Sequence, residues 1–145
     1  MVAGAPLSLL DVRDRLPELF YSRMHAWYNH SVEAAWAAAP VAVRWHLLHK
    51  EPVPGSLRKT FGERRNLLSD GERVPRSGEV ADIFVLLALV TGQCLLPDVW
   101  VRCRDKSSSG FHIGVGGFGS DGFGVRNYWD GQRRGYLGLA SPRRS

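Results

Sequence analysis

Cysteine is nearly absent: the 145 residues hold two, Cys94 and Cys103. Small secreted folds that depend on disulfides carry more cysteines at framework spacings, so that class is excluded. A zinc site would need further Cys or His nearby. Both cysteines read as buried small apolar side chains, and a bond between them stays open. Long apolar runs are missing as well. The longest, residues 83–90, is too short to span a bilayer. The first ten residues lack a basic leader segment and Asp11 follows them, so no signal peptide is recognised. The expected location is cytoplasmic, or exported with help from another protein, and no membrane insertion is expected. Acids are scarce toward the end. From residue 101 onward Asp105, Asp121 and Asp130 face eight basic residues: Arg102, Arg104, Lys106, Arg126, Arg133, Arg134, Arg143 and Arg144. The whole net charge of +5 therefore sits in the last third. Such a field favours nucleic acid, anionic glycans or acidic protein faces. The alternative is an ordinary solvated basic surface.

What is present suits one domain covering residues 1–145. Residues 16–39 carry Leu19, Phe20, Met24, Trp27, Tyr28 and Trp36 at helical spacing, which predicts a first helix with an aromatic core stripe. Pro17 suits its first turn and Pro40 stops it. Residues 41–50 continue the apolar pattern as a strand or a short helix. Residues 51–55 form a turn around Pro52, Pro54 and Gly55. Arg58, Lys59, Arg64 and Arg65 read as a solvated face. Residues 77–90 predict a second, buried helix, with Ser77 as its cap, Glu79 in its first turn and Gly92 at its end. Residues 99–104 alternate as a strand with Arg102 outward. Ten of the sixteen glycines lie after residue 109, so short strands and tight turns follow rather than helix. Residues 137–140 predict a last strand. Helices first and strands last read as α+β: a mainly helical scaffold over residues 1–98, then a glycine-rich β and loop region over residues 99–145.

Stock catalytic motifs fail. Gly114-Val-Gly-Gly117 lacks the Lys-Ser/Thr of a phosphate loop and lies between strands. His25, His30, His46 and His49 lack a third ligand. Ser107-Ser-Ser-Gly110 is no nucleophile turn, and Asp121 with Asp130 is no established carboxylate pair. No catalytic residue, metal site or cofactor is implied.

Two segments carry more information. Gly71-Glu-Arg-Val-Pro-Arg-Ser-Gly-Glu79 locks a loop onto a helix start. Asn127-Tyr-Trp-Asp130 and Leu137-Gly-Leu-Ala140 crowd aromatic and polar residues near a terminal strand, and these residue types dominate adaptable binding surfaces. Together the segments resemble the C-type-lectin-like fold of the formylglycine-generating (sulfatase-modifying factor) group, over residues 67–145. In that group an Arg-Leu-Pro-Thr-x-x-Glu pattern announces a helix, as Arg73-Val-Pro-Arg-Ser-Gly-Glu79 does here. That group closes with Gly-Phe-Arg, from which Leu139-Ala140 departs. Within the group the chain looks most like the variable proteins of diversity-generating retroelements. In those a C-terminal segment is rewritten at template adenines; their usual Gly-Gly-Ser-Trp is absent here unless Gly116-Gly117-Phe118 replaces it. The enzyme branch needs paired cysteines near the C-terminal end, and none follows Cys103.

The resemblance implies a lectin-like fold, with two main helices packed on a short-stranded, irregular antiparallel sheet. It also implies a non-enzymatic ligand-binding protein, diversified between Arg104 and Tyr136 toward a protein or glycan. The expected contacts are Arg104, Phe111, His112, Phe118, Phe123, Arg126, Tyr128, Asp130, Gln132, Arg133, Arg134 and Tyr136, above a scaffold of Val125, Trp129 and Leu137. The alternative is a nucleic-acid-binding module, with Arg and Lys on phosphates and aromatic rings stacked on bases.

Overall fold

A computed structural model describes residues 6–42, 47–48, 50–140 and 142–143, with only the main chain described at 47–48 and 142–143. Helix α1 (Leu9–Arg15) opens with a capping box, in which Ser8 accepts from the Asp11 amide and Asp11 accepts from the Ser8 amide. The segment expected as one helix is broken. It runs through short turns at Pro17–Leu19 and Ser22–Met24, α2 (His25–Tyr28), a turn at Ser31–Glu33 and α3 (Ala34–Ala37). The interruption has a partner: Phe20 bridges Phe123, and the Tyr21 amide donates to the Phe123 carbonyl at 2.8 Å. An amide used this way cannot also close a helical turn. The aromatic stripe still reaches the core, with Phe20, Tyr28 and Trp36 buried.

Strand β1 (Leu47–Leu48) pairs antiparallel with β6 (Pro142–Arg143). His46 and His49 lie outside the described residues, as do Val43 and Trp45. Between β1 and the long helix stands α4 (Phe61–Arg65), started by a Thr60–Glu63 capping box. Helix α5 (Ser77–Thr91) ends at Gly92 in the left-handed region. Its cap position is Arg76, not Ser77: Asp105 from the sheet accepts the Ser77 amide, and Glu79 accepts the Arg76 amide at 2.8 Å. Carboxylates there match the positive helix end. The helix is buried only in its first half; Leu86, Leu89 and Val90 are exposed.

The sheet has four strands in the order β4 (Gly122–Tyr128), β3 (His112–Gly119), β2 (Trp100–Lys106), β5 (Leu137–Gly138). It is mixed rather than antiparallel throughout, because β5 runs parallel to β2. Strands β2, β3 and β4 form an antiparallel meander. Val101, Cys103, Ile113, Val115 and Val125 share a core with Val80, Ala81 and Phe84 of α5. Phe84 stacks parallel on Phe118 at 5.7 Å and meets the Phe123 edge at 5.4 Å. Truncating such a ring costs about 3–5 kcal/mol. Cys103 is part of this core and burial pushes its thiol well up, whereas Cys94 is exposed, against expectation; both are free thiols.

The outer face of the sheet is covered too, and the glycines permit it. A Cβ on Gly114 would meet the Tyr128 ring at 2.7 Å, and one on Gly116 would lie 2.3 Å from the Val99 carbonyl oxygen. Small residues inside the strands thus let rings and main chain approach closely. A second core of Val53, Phe61, Val74 and Leu139 lies outside the main one.

Candidate functional site

Two buried arginines organise the outer side of the sheet. Arg102 on β2, expected to point outward into water, is fully buried. Both faces of β2 are covered from Val101 to Cys103, so sequence alternation could not separate them there. The Arg102 guanidinium donates to the carbonyls of Tyr128 (3.2 Å), Trp129 (2.7 Å) and Gln132 (3.3 Å). It also lies 5.9 Å from the Phe61 and Tyr128 ring centres. Arg64, expected on a solvated face, is likewise fully buried. It donates to the carbonyls of Ser56, at 2.7 Å, and Leu137. Burial lowers the Arg64 pKa to about 10, and the neighbouring Arg102 charge adds to that. Both side chains supply hydrogen-bond donors to main-chain carbonyls.

Further bonds fix the same loop, residues 129–136. The Phe61 amide donates to the Asp130 carbonyl, the Arg58 amide to Arg134 and the Trp100 amide to Tyr136. Almost all of this anchoring runs through carbonyls, which every residue type possesses. Glu33 plays a comparable part at the β2–β3 turn, accepting from the Ser108 amide, the Ser108 hydroxyl and the Trp36 ring N–H. Burial opposes its charge, but these donors outweigh that and hold its carboxyl below the usual range.

The expected contact residues divide. Arg104, Phe111, Arg126, Arg133, Arg134 and Tyr136 are exposed, and Asp130 and Gln132 are half-buried. His112, Phe118, Phe123 and Tyr128 are buried, which corrects their assignment as surface contacts. Phe118 and Phe123 point into the main core against Phe84. Tyr128 folds over Gly114, and burial pushes its hydroxyl up to about 12. Trp129 departs in the other direction: expected as scaffold, it is 63% exposed. Val125 and Leu137 are buried.

The exposed set is spread over two hollows, the loop and, for Phe111, the turn before β3. One cleft, of about 790 Å³, lies between α4, residues 68–74 and the far end of the β2–β3 hairpin. Its lining includes Phe61, Arg65, Leu68, Val74, Arg104, Lys106, His112 and Asp130. The His112 ring stacks on Phe61 at 3.6 Å, and its Nδ1 bonds to the Asp130 carboxylate. A second hollow, of about 370 Å³, is lined by Trp100, Arg126 and the Gly119–Gly122 turn, with Arg126 5.1 Å from the Trp100 ring centre. Arg133 reaches Glu63 of α4 at 2.8 Å. Sequence reading missed the contribution of α4 and residues 68–74. The Thr60-x-x-Glu63 capping signature was the available signal.

Among the described residues no group of three His, Cys, Asp or Glu side chains is placed to hold a metal ion, and no helix is long and apolar enough to cross a membrane. Comparison of the chain with protein-family models, with curated proteins and with solved structures returned no match.

Proposed function

We propose that this chain is a non-enzymatic ligand-binding protein of lectin-like fold, with a diversified C-terminal surface directed at a protein or glycan in the manner of retroelement variable proteins. One observation carries the reading. Residues 129–136 are gripped by their carbonyls from Arg102, Arg58, Phe61 and Trp100, while Trp129, Arg133, Arg134 and Tyr136 face solvent. A loop held by main chain keeps its path when its side chains change, which is what a diversified surface requires. Rigid aromatic and hydrogen-bonding side chains on such a path suit recognition.

The test is to sequence this gene and its surroundings across a population of the source organism. The expected result is substitution confined to codons for exposed positions between Arg104 and Tyr136, matched by adenines in a near-copy. Arg102 and the strand glycines stay constant. A uniform gene with no near-copy and no reverse transcriptase beside it refutes the diversified reading.

A second reading draws on the exposed rings of Phe111, Trp129 and Tyr136 among exposed Arg104, Arg126, Arg133 and Arg134. Such a surface also suits single-stranded nucleic acid. A steep fall of oligonucleotide binding with added salt would favour it.

A further inference from the structure

The cleft beside α4 has a chemistry of its own. Arg65, Arg104 and Lys106 are exposed along it, and none makes an ion pair or a side-chain hydrogen bond among the described residues. Leu68 and Val74 add aliphatic surface to the lining. His112 is more than nine-tenths buried, stacked on Phe61 and tied through Nδ1 to Asp130. Its Nε2 has no partner among the described residues. The Asp130 carboxylate occupies Nδ1, which leaves Nε2 to hydrogen-bond a ligand.

We propose that this cleft binds an acidic segment of a partner protein. Its carboxylates meet Arg65, Arg104 and Lys106, an apolar side chain rests on Leu68 and Val74, and a polar ligand group hydrogen-bonds His112 Nε2. This deepens the binding reading above by naming the partner's chemistry. Two features favour a peptide over a nucleic-acid strand. Asp130 interrupts the cations and opposes a polymer charged at every unit, whereas a peptide can space its acids. The cleft also lacks an open ring for a base to stack on, because Phe61 is already covered by His112.

The test is fluorescence polarisation of the full chain at near-physiological salt. The probe is a labelled twelve-residue peptide in which Asp and Glu alternate with Leu; its counterpart replaces the acids by Lys. The acidic probe is expected to bind saturably and the basic one not at all. Arg104→Glu combined with Lys106→Glu weakens binding at least tenfold. Arg23→Glu, on the exposed Ser22–Met24 turn outside the cleft, changes it less than twofold. His112→Phe keeps the stack on Phe61 but lacks Nε2 and the Nδ1 bond to Asp130, and weakens binding severalfold in a chain that still melts cooperatively. The proposal is overturned if the acidic probe fails to bind, if the double reversal leaves its affinity within twofold, or if an oligothymidine displaces it and binds more tightly at the same salt. A uniform gene together with cleft binding would remove diversification alone; a diversified gene with a silent cleft would remove only the acidic partner.

Discussion

Replacing Arg102 by methionine removes the guanidinium but keeps an unbranched side chain against Phe61 and Tyr128. Three carbonyls then lose the guanidinium, those of Tyr128, Trp129 and Gln132, of which Trp129 keeps the Gln132 amide. Hydrogen bonds to a charged group contribute about 1.5–3 kcal/mol each, and a neutral bond about 1 kcal/mol. The cost of keeping the cation out of water offsets part of this, and the freed loop can turn some carbonyls toward solvent. The expected net loss is about 3 kcal/mol, a large share of the roughly 5–15 kcal/mol that holds a domain together. For a chain of this size that is roughly 6–12 °C in Tm. Urea unfolding gives the free energy, and amide exchange locates it: the Gln132 and Leu137 amides, which bond within the loop to Trp129 and Arg134, should exchange much faster. Arg102→Lys keeps the charge without the planar fork and should recover only part of the loss. A loss below about 1 kcal/mol with unchanged exchange in the loop would falsify the claim that this side chain fixes its path.

Alanine at Trp129, Gln132, Arg134 or Tyr136 should each change unfolding free energy by no more than about 0.5 kcal/mol, because the loop is held by main chain; a larger loss at two or more of them in urea titrations would show that side chains hold it. Gly116→Ala brings a Cβ to 2.3 Å from the Val99 carbonyl oxygen, where main chain must move, so a loss of about 1–3 kcal/mol is expected, read as a lower Tm with the sheet signal retained. Asp82 is pushed up to about 7, first by burial and then by the Glu79 carboxylate. A folded-state value above the unfolded one means its contribution is full below the ordinary aspartate range and lost as pH rises through about 7. Asp82→Asn should therefore stabilise the protein at pH 8, by roughly 2 kcal/mol after allowance for solvent screening, and have little effect at pH 4; equal effects at both pH values would refute the assignment.

Local signals were legible where a local cause exists. Helix α5 could be read from Glu79 in its first turn and Gly92 past its end, and both act there. The strand pattern after residue 99 likewise matched β2, β3 and β4, because alternating apolar residues face α5. The aromatic residues between 16 and 39 have helical spacing and do enter the core, but the break at Phe20 and Tyr21 is set by Phe123, about a hundred residues away in sequence. Ser77 looked like a cap until Asp105, brought from β2, took its amide. The site was less legible for the same reason. An arginine in sequence reads as surface; Arg64 and Arg102 are buried because distant carbonyls converge on them. Phe118, Phe123 and Tyr128 were expected as contacts because aromatic residues dominate binding surfaces, but Phe118 and Phe123 pack against Phe84 and Tyr128 lies over Gly114.

The positive charge of the last third therefore serves two ends. Arg102 is spent inside the fold, on carbonyls. Arg104, Lys106, Arg126 and Arg134 remain on the surface, where the proposed partner would meet them. The two uses constrain the sequence differently. A buried arginine bonded to main chain must stay an arginine, while its bonds to the Trp129 and Gln132 carbonyls do not depend on which side chains those residues carry. The cleft combines both conditions in one place. Arg65, Leu68 and Val74 come from the part of the chain before the proposed diversified segment, while Arg104, Lys106, His112 and Asp130 come from within it. On the proposed reading, variants share one wall and differ in the other. The aliphatic surface and one cation are then common to all of them, and the remaining charges set which acidic partner each prefers.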